Sequence, residues 1–212
     1  MAETKICGLS DPAGVAAALE GQARYLGFVF VAKSPRDVTP ERAAALAAHA
    51  AGRADTVAVT MDADDATLTV IARTLGPDWI QLHGREPPER VAAVRRFARK
   101  GLIKAIGVAR AEDLATAARY APVADMLMFD AKAPEGAALP GGNGAAFDWR
   151  LLAGQRFARP WLLSGGLTPE NVAEALRESG AGAVDVSSGV ESAPGVKDPG
   201  RIARFLAAAR ST

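Results

Sequence analysis

Cysteine, histidine and aromatic residues are scarce in this chain. Its 212 residues include one Cys, two His and 6% Phe, Trp and Tyr together. A lone thiol, Cys7, cannot close an internal disulfide, so a reducing compartment is expected. Neither sign of charge dominates. The formal net charge is +1, which argues against the basic face of a nucleic-acid binder. No apolar run approaches the roughly 18 residues of a membrane-spanning helix. The opening MAETKI lacks the basic-then-apolar order of an export signal. The expectation is a cytoplasmic protein with neither nucleic acid nor membrane as partner.

What is present is ordinary globular material, 49% apolar and 23% charged. A chain of this length buries a sizeable core without staples. Short apolar runs alternate with alanine-rich stretches of helical period. The runs are TKIC (4–7), YLGFVF (25–30), TVAVTM (56–61), WIQLH (79–83), LIKAIGV (102–108), ADMLMFD (124–130), PWLLSG (160–165) and AVDVSS (183–188). Between them, helices are expected over 12–20, 40–50, 64–75, 87–99, 111–120, 169–179 and 199–209. Thr168-Pro169-Glu170 reads as a helix start: a cap, then proline, then an acid. Continuous apolar strands fit a parallel sheet buried on both faces. Eight strand–helix units without a linker predict an α/β fold, a single (β/α)8 TIM barrel over residues 1–212. A doubly wound sheet would place a glycine-rich phosphate loop after the first strand; here that strand ends in CGLSD.

In such a barrel, chemistry sits at the C-terminal ends of the strands. Cys7 ends the first, where it is either a buried small hydrophobe or a reactive thiol. The last two strands end in SGGL (164–167) and DVSSGVE (185–191). Gly165, Gly166, Ser187, Ser188 and Gly189 offer backbone and hydroxyl donors to a phosphate. Tight turns needing glycine for geometry are the competing explanation. Arg36, in KSPR, suits an anionic or planar group, or else is a solvated loop residue. Lys5 shares a strand face with Cys7, and a buried strand lysine needs a partner. Asp130 ends the sixth strand before a long, glycine-rich stretch, 131–147, of the kind that forms lids. It is either a general acid or a cap for the loop backbone. His83 is taken as structural, and Lys197 and Asp198 as a surface turn.

KICGL, GFVF..KSPR, QLHG, FD.K, GGNGAAFDW, LSGGLTPENV and DVSSGVE..PGVKD occur together, and in this order they resemble the N-(5'-phosphoribosyl)anthranilate isomerase family of tryptophan biosynthesis. The resemblance covers nearly the whole chain. It implies a TIM barrel without cofactor or metal, acting on a phosphorylated small molecule by an Amadori rearrangement. It implies Cys7 as general base, Asp130 as general acid and Arg36 as the anthranilate contact. It implies a phosphate held at Gly165, Gly166, Ser188 and Gly189. It is compatible with a monomer or a homodimer. VTMDAD and MFDAK depart from the family pattern, leaving substrate contacts near Met61 and Ala131 open.

Other phosphate-binding barrels fit less well. An indole-3-glycerol-phosphate synthase would carry extra N-terminal helices and a catalytic Lys and Glu at strand ends. A ribulose-phosphate epimerase would need metal-binding histidines and paired aspartates. A barrel that binds a sugar phosphate without catalysis would be favoured by loss of the first-strand Cys or the sixth-strand Asp. Both are present.

Overall fold

The computed structural model describes residues 1–132 and 147–211. Eight parallel strands close into a barrel in chain order. They are β1 (Glu3–Cys7), β2 (Tyr25–Phe30), β3 (Asp55–Thr60), β4 (Trp79–Leu82), β5 (Gly101–Val108), β6 (Met126–Ala131), β7 (Trp161–Leu163) and β8 (Ala183–Val186). Closure is made by β8 against β1, with Lys5 in register with Asp185. Of the expected lid, residues 133–146 lie outside the described residues.

Alternation along each strand separates two apolar layers. On β6, Leu127 and Phe129 join the layer between sheet and helices, with Ile6, Leu26, Leu102 and Val184. Met126 and Met128 turn inward to meet Cys7, Val57, Ile103 and Leu162. The barrel interior is not wholly apolar, since Lys5, Gln81 and Asp185 are buried in it.

The helices are α1 (Pro12–Glu20), α2 (Pro40–Ala47), α3 (Asp65–Thr74), α4 (Pro88–Val94), α5 (Thr116–Tyr120), α6 (Val172–Ser179) and α7 (Pro199–Arg210). Four begin at side-chain caps: Asp11 accepts from Gly14 N at 2.8 Å, Thr39 from Arg42 N at 3.2 Å, Asp64 from Thr67 N at 2.8 Å and Asp198 from Arg201 N at 3.0 Å. Each satisfies an otherwise orphaned N–H of the first turn. The expected helices at 40–50 and 87–99 tighten into 3-10 turns at Ala48–Ala50 and Arg95–Phe97. The one at 111–120 begins as a 3-10 turn, Ala111–Ala115.

The start expected at Thr168-Pro169-Glu170 is displaced, since α6 begins at Val172. Asn171 is the reason. Its side chain accepts from Thr168 N at 2.7 Å and donates to Gly166 O at 2.9 Å, which holds 168–171 as a turn. A small hairpin, β9 (Glu191–Ala193) and β10 (Val196–Lys197), fills the connection from β8 to α7.

Two ion-pair groups tie neighbouring strands. At the N-terminal end, Asp55 meets Arg24 at 3.1 Å, Lys100 at 2.6 Å and Trp79 Nε1 at 3.0 Å. Burial would push its carboxyl up, but Lys100, Trp79 and Arg24 outweigh burial and hold it below the ordinary range. At the other end, Lys104 Nζ on β5 donates to Leu82 O at 3.2 Å, Gly84 O at 2.8 Å and Glu86 Oε2 at 2.8 Å. Glu86 Oε1 accepts from Asp62 N at 2.9 Å and Gly84 N at 3.1 Å. Lys104 and Glu86 are both buried, and together they fix the loops after β3 and β4.

Breaking a buried pair strands a charge, which costs about 3–5 kcal/mol. Lys104→Met is therefore expected to lower unfolding stability by about that amount, read from urea melts. Adding Glu86→Gln removes the stranded charge but keeps the acceptor for Asp62 and Gly84 N–H, and recovers most of the loss. A single variant as stable as the parent contradicts this account.

Candidate active site

Cys7 is the last residue of β1, and Asp130 lies near the end of β6. The two strands are separated by β7 and β8 around the barrel, so the thiol and the carboxyl approach its mouth from different sides. Both are almost fully buried.

The thiol has a charged neighbourhood. Lys5 Nζ lies 2.7 Å from Asp185 Oδ1, and Ser164 Oγ donates to Asp185 Oδ2 at 3.0 Å. Gly27 of β2 makes room for the group. A Cβ there would stand 3.2 Å from both Cys7 Sγ and Lys5 Nζ. Burial alone would lower the Lys5 pKa, but the Asp185 carboxylate and Cys7 outweigh burial and hold it above its usual value. For Cys7 burial prevails and pushes the thiol up. Lys5 pulls it down, Asp185 pushes it further up, and Lys197 pulls it down again. Lys5 thus acts on the thiol as its strand face suggests, but its own carboxylate partner blunts the effect.

Lys197, expected in a surface turn, is buried instead. Its Nζ meets Glu191 Oε1 at 2.7 Å, Ser187 O at 2.9 Å and Ser187 Oγ at 3.3 Å. The short hairpin is what turns it inward, and its sequence carries too few residues for an alternation signal. Burial lowers the Lys197 pKa against the pull of Glu191. Asp198 does lie at the surface, where it caps α7.

Arg36 is not a solvated loop residue either. Its Nε and Nη2 donate to the two Glu191 carboxylate oxygens at 2.7 and 2.9 Å, a bidentate pair. Burial would push the Glu191 carboxyl up, but Arg36 and Lys197 hold it below its ordinary range. Two cations share this one carboxylate, so the cluster keeps an excess positive charge. Gly8, at φ +75°, leaves room for the Arg36 chain, because a Cβ there would come within 2.7 Å of Arg36 Cδ.

The glycine loops meet backbone to backbone. A Cβ on Gly189 would fall 1.9 Å from Leu167 O, and one on Gly165 would fall 2.5 Å from Ala131 N. Gly165 and Gly166 both have positive φ, 88° and 66°. Ser188 and Gly189 form a 3-10 turn, Ser188–Val190. Turn geometry therefore explains Gly165 and Gly166, and close backbone approach explains Gly189. Neither explanation excludes the phosphate reading.

Sequence reasoning set aside His83, yet its Nε2 lies 3.2 Å from Asp130 Oδ2. Gln81 Nε2 lies 2.9 Å from His83 Nδ1. The other Asp130 oxygen, Oδ1, accepts from Ala131 N at 2.9 Å. The period of β4, inward at 79 and 81, was the available signal for His83. Gln81 Oε1 is buried and has no hydrogen-bond partner among the described residues. Among those residues, no group of three or more His, Cys, Asp or Glu side chains is placed to hold a metal ion. No described helix is long and apolar enough to cross a membrane.

Comparison with known proteins identifies the family and the fold. The family model for N-(5'phosphoribosyl)anthranilate (PRA) isomerase matches residues 4–208. The N-(5'-phosphoribosyl)anthranilate isomerase of Paracoccus denitrificans is 58% identical over 207 residues, covering 97% of this chain and 95% of that one. The enzyme of the same name from Caulobacter vibrioides is 54% identical, covering 97% and 94%. Among solved structures, phosphoribosyl anthranilate isomerase from Thermotoga maritima superposes with a TM-score of 0.89 at 35% identity, covering both chains fully. A phosphoribosyl anthranilate isomerase in complex with reduced 1-(o-carboxyphenylamino)-1-deoxyribulose 5-phosphate gives 0.86 at 33%, again over both full chains. A closed eight-stranded barrel with a thiol and a carboxyl at its mouth, matched over nearly its whole length, belongs to the N-(5'-phosphoribosyl)anthranilate isomerase family.

Proposed function

We propose that Cys7 and Asp130 are the base and acid that convert N-(5'-phosphoribosyl)anthranilate to 1-(o-carboxyphenylamino)-1-deoxyribulose 5-phosphate. Family membership makes the chain an isomerase of tryptophan biosynthesis. The observation that carries the residue assignment is the pairing of the only thiol and a buried carboxyl at one barrel end, the end where such barrels do their chemistry.

Asp130 gives its proton to the furanose ring oxygen. The anthranilate nitrogen lone pair forms a C=N bond to C1 as the C1–O bond breaks, so the ring opens to a Schiff base. The Cys7 thiolate then takes the proton from C2, and the C–H electrons flow towards the cationic nitrogen to give an enolamine. That species tautomerises to the ketone: the C2 hydroxyl loses its proton and C1 gains one. Cys7 ends one proton richer and Asp130 one poorer, so net return of a proton resets the pair.

The positive excess of Arg36 and Lys197 over Glu191 suits an anionic substrate. Arg36 offers the anthranilate carboxylate the part of its guanidinium that Glu191 does not occupy. Gly165, Gly166, Ser188 and Gly189 take the phosphate through backbone N–H groups. All of these residues come from one chain, so the reading holds for a monomer or a homodimer; a Thermotoga maritima structure is described as generated monomers of a dimeric phosphoribosylanthranilate isomerase.

The base must be a thiolate, whereas burial favours the thiol. Lys5 and Lys197 are the groups that oppose burial, and Asp185 works against them. A raised thiol pKa means that the thiolate fraction grows only as pH climbs above the ordinary thiol range, about 8.5. Neutralising Asp185 removes one push and leaves the Lys5 charge uncompensated. Asp185→Asn is therefore expected to move Cys7 ionisation to lower pH. Thiolate absorbance near 240 nm reads this directly because the chain has one cysteine, with Cys7→Ser as the blank. An unchanged midpoint would show that the pair does not set the thiol.

Activity tests the assignment itself. Loss of fluorescence of freshly made phosphoribosylanthranilate is the assay. Cys7→Ser and Asp130→Asn should each reduce kcat by about 10²–10⁴, and wild-type rates in both would refute the pair. Arg36→Met should raise KM roughly tenfold or more, the scale of one lost charge-assisted contact, with a smaller change in kcat. No turnover at all in the parent protein would return the site to a sugar-phosphate binder.

A further inference from the structure

We propose that His83 and Gln81 are positioning residues for the acid. Gln81 fixes the tautomer of His83, and the Nε2–H of His83 then stabilises the Asp130 carboxylate that forms as its proton leaves. This rests on the reading of Asp130 as the acid and extends it across the barrel to β4.

The tautomer follows from an atom that has no hydrogen to give. The Gln81 amide nitrogen lies 2.9 Å from His83 Nδ1 and 3.4 Å from Met128 Sδ. A thioether only accepts. The amide atom that faces it must therefore be the NH2 group, which needs an acceptor at His83 Nδ1. The imidazole hydrogen is left on Nε2, 3.2 Å from Asp130 Oδ2. With Ala131 N–H on Oδ1 at 2.9 Å, each carboxylate oxygen faces one donor.

The strand between is built to allow this. β5 lies between β4 and β6, and its residues in register with Met128 and Asp130 are Ala105 and Gly107. Both are small, so β5 puts little side-chain bulk between β4 and β6 at this level. Gln81 itself is buried, and Lys104 and Glu86 brace the loop that follows it. The imidazole is therefore held from both sides before substrate arrives.

The consequence lies in the transition state. As Asp130 passes its proton to the ring oxygen, negative charge grows on the two oxygens that already face N–H groups. Donors placed in advance stabilise such developing charge without rearranging. Their contribution belongs to kcat, because the charge is absent when substrate first binds.

Kinetics and NMR test this separately. His83→Leu should lower kcat about ten- to hundredfold, the scale of one charge-assisted hydrogen bond, with KM changed less than about twofold. His83→Gln, whose amide N–H can replace Nε2–H, should regain most of that loss. In ¹⁵N-histidine spectra at alkaline pH, with His49→Gln to assign the pair, His83 should show the Nε2–H tautomer. Gln81→Leu should release it into a mixture. A near-parental kcat in His83→Leu alongside a crippled Asp130→Asn would overturn the inference alone. So would an Nδ1–H tautomer in the parent. A parental rate in Asp130→Asn would remove the acid assignment, and the inference with it.

Discussion

The ion pair of Lys5 and Asp185 at the centre of the barrel is the constraint around which the site is arranged. Lys5 has no exposed surface, and an isolated buried ammonium would cost several kcal/mol. Direct pairing with Asp185 offsets that cost, and the pairing is written into the closure of the sheet, because β1 and β8 bring the two into register. Ser164, the residue after β7, donates to the second carboxylate oxygen. Gly27 from β2 leaves the space that the ammonium and the Cys7 thiol share. Three strands and the residue after β7 thus contribute to one charge arrangement, and a change in the register of β1 against β8 would leave a charged group unpaired inside the barrel.

The loops follow the same economy of space. Gly189 and Gly165 are required because a backbone atom of another loop occupies the place of a Cβ. Close packing of the connections after β6, β7 and β8 holds backbone N–H groups at fixed positions above the barrel. Glu191 has a comparable task on the other flank. It gathers Arg36 from the β2 connection and Lys197 from the hairpin, and it orients both cations while cancelling the charge of only one.

Much of this was legible in the sequence, because it depends on local period. The eight strands lie where apolar runs predicted them, and Cys7 and Asp130 sit at strand ends because the runs stop there. What was not legible depends on pairs far apart in the chain. Lys5 and Asp185 are 180 residues apart, and Arg36 and Glu191 are 155 apart. Nothing in the spacing announces such pairs before the barrel closes. Lys197 was misplaced because a two-residue strand carries no period to read. Thr168-Pro169-Glu170 has the composition of a helix start, but Asn171 three residues on captures the same backbone groups for a turn. His83 was passed over because a lone histidine is common, whereas its meaning comes from β6, two strands away.

The two halves of the site solve opposite problems with similar means. On the proposed reading Cys7 must lose a proton in a buried place that favours keeping it, and Lys5 and Lys197 supply positive charge against that preference. On the same reading Asp130 gives up a proton, and its two oxygens face Ala131 N at 2.9 Å and His83 Nε2 at 3.2 Å. Neutral donors stabilise the carboxylate less in the ground state, yet they stand ready when charge develops. On the proposed reading, cations stand near the base and N–H donors face the acid, so the two groups have different surroundings. The polar residues inside this barrel are therefore not defects in an apolar core. They place charge around the thiol and hydrogen-bond donors around the carboxyl.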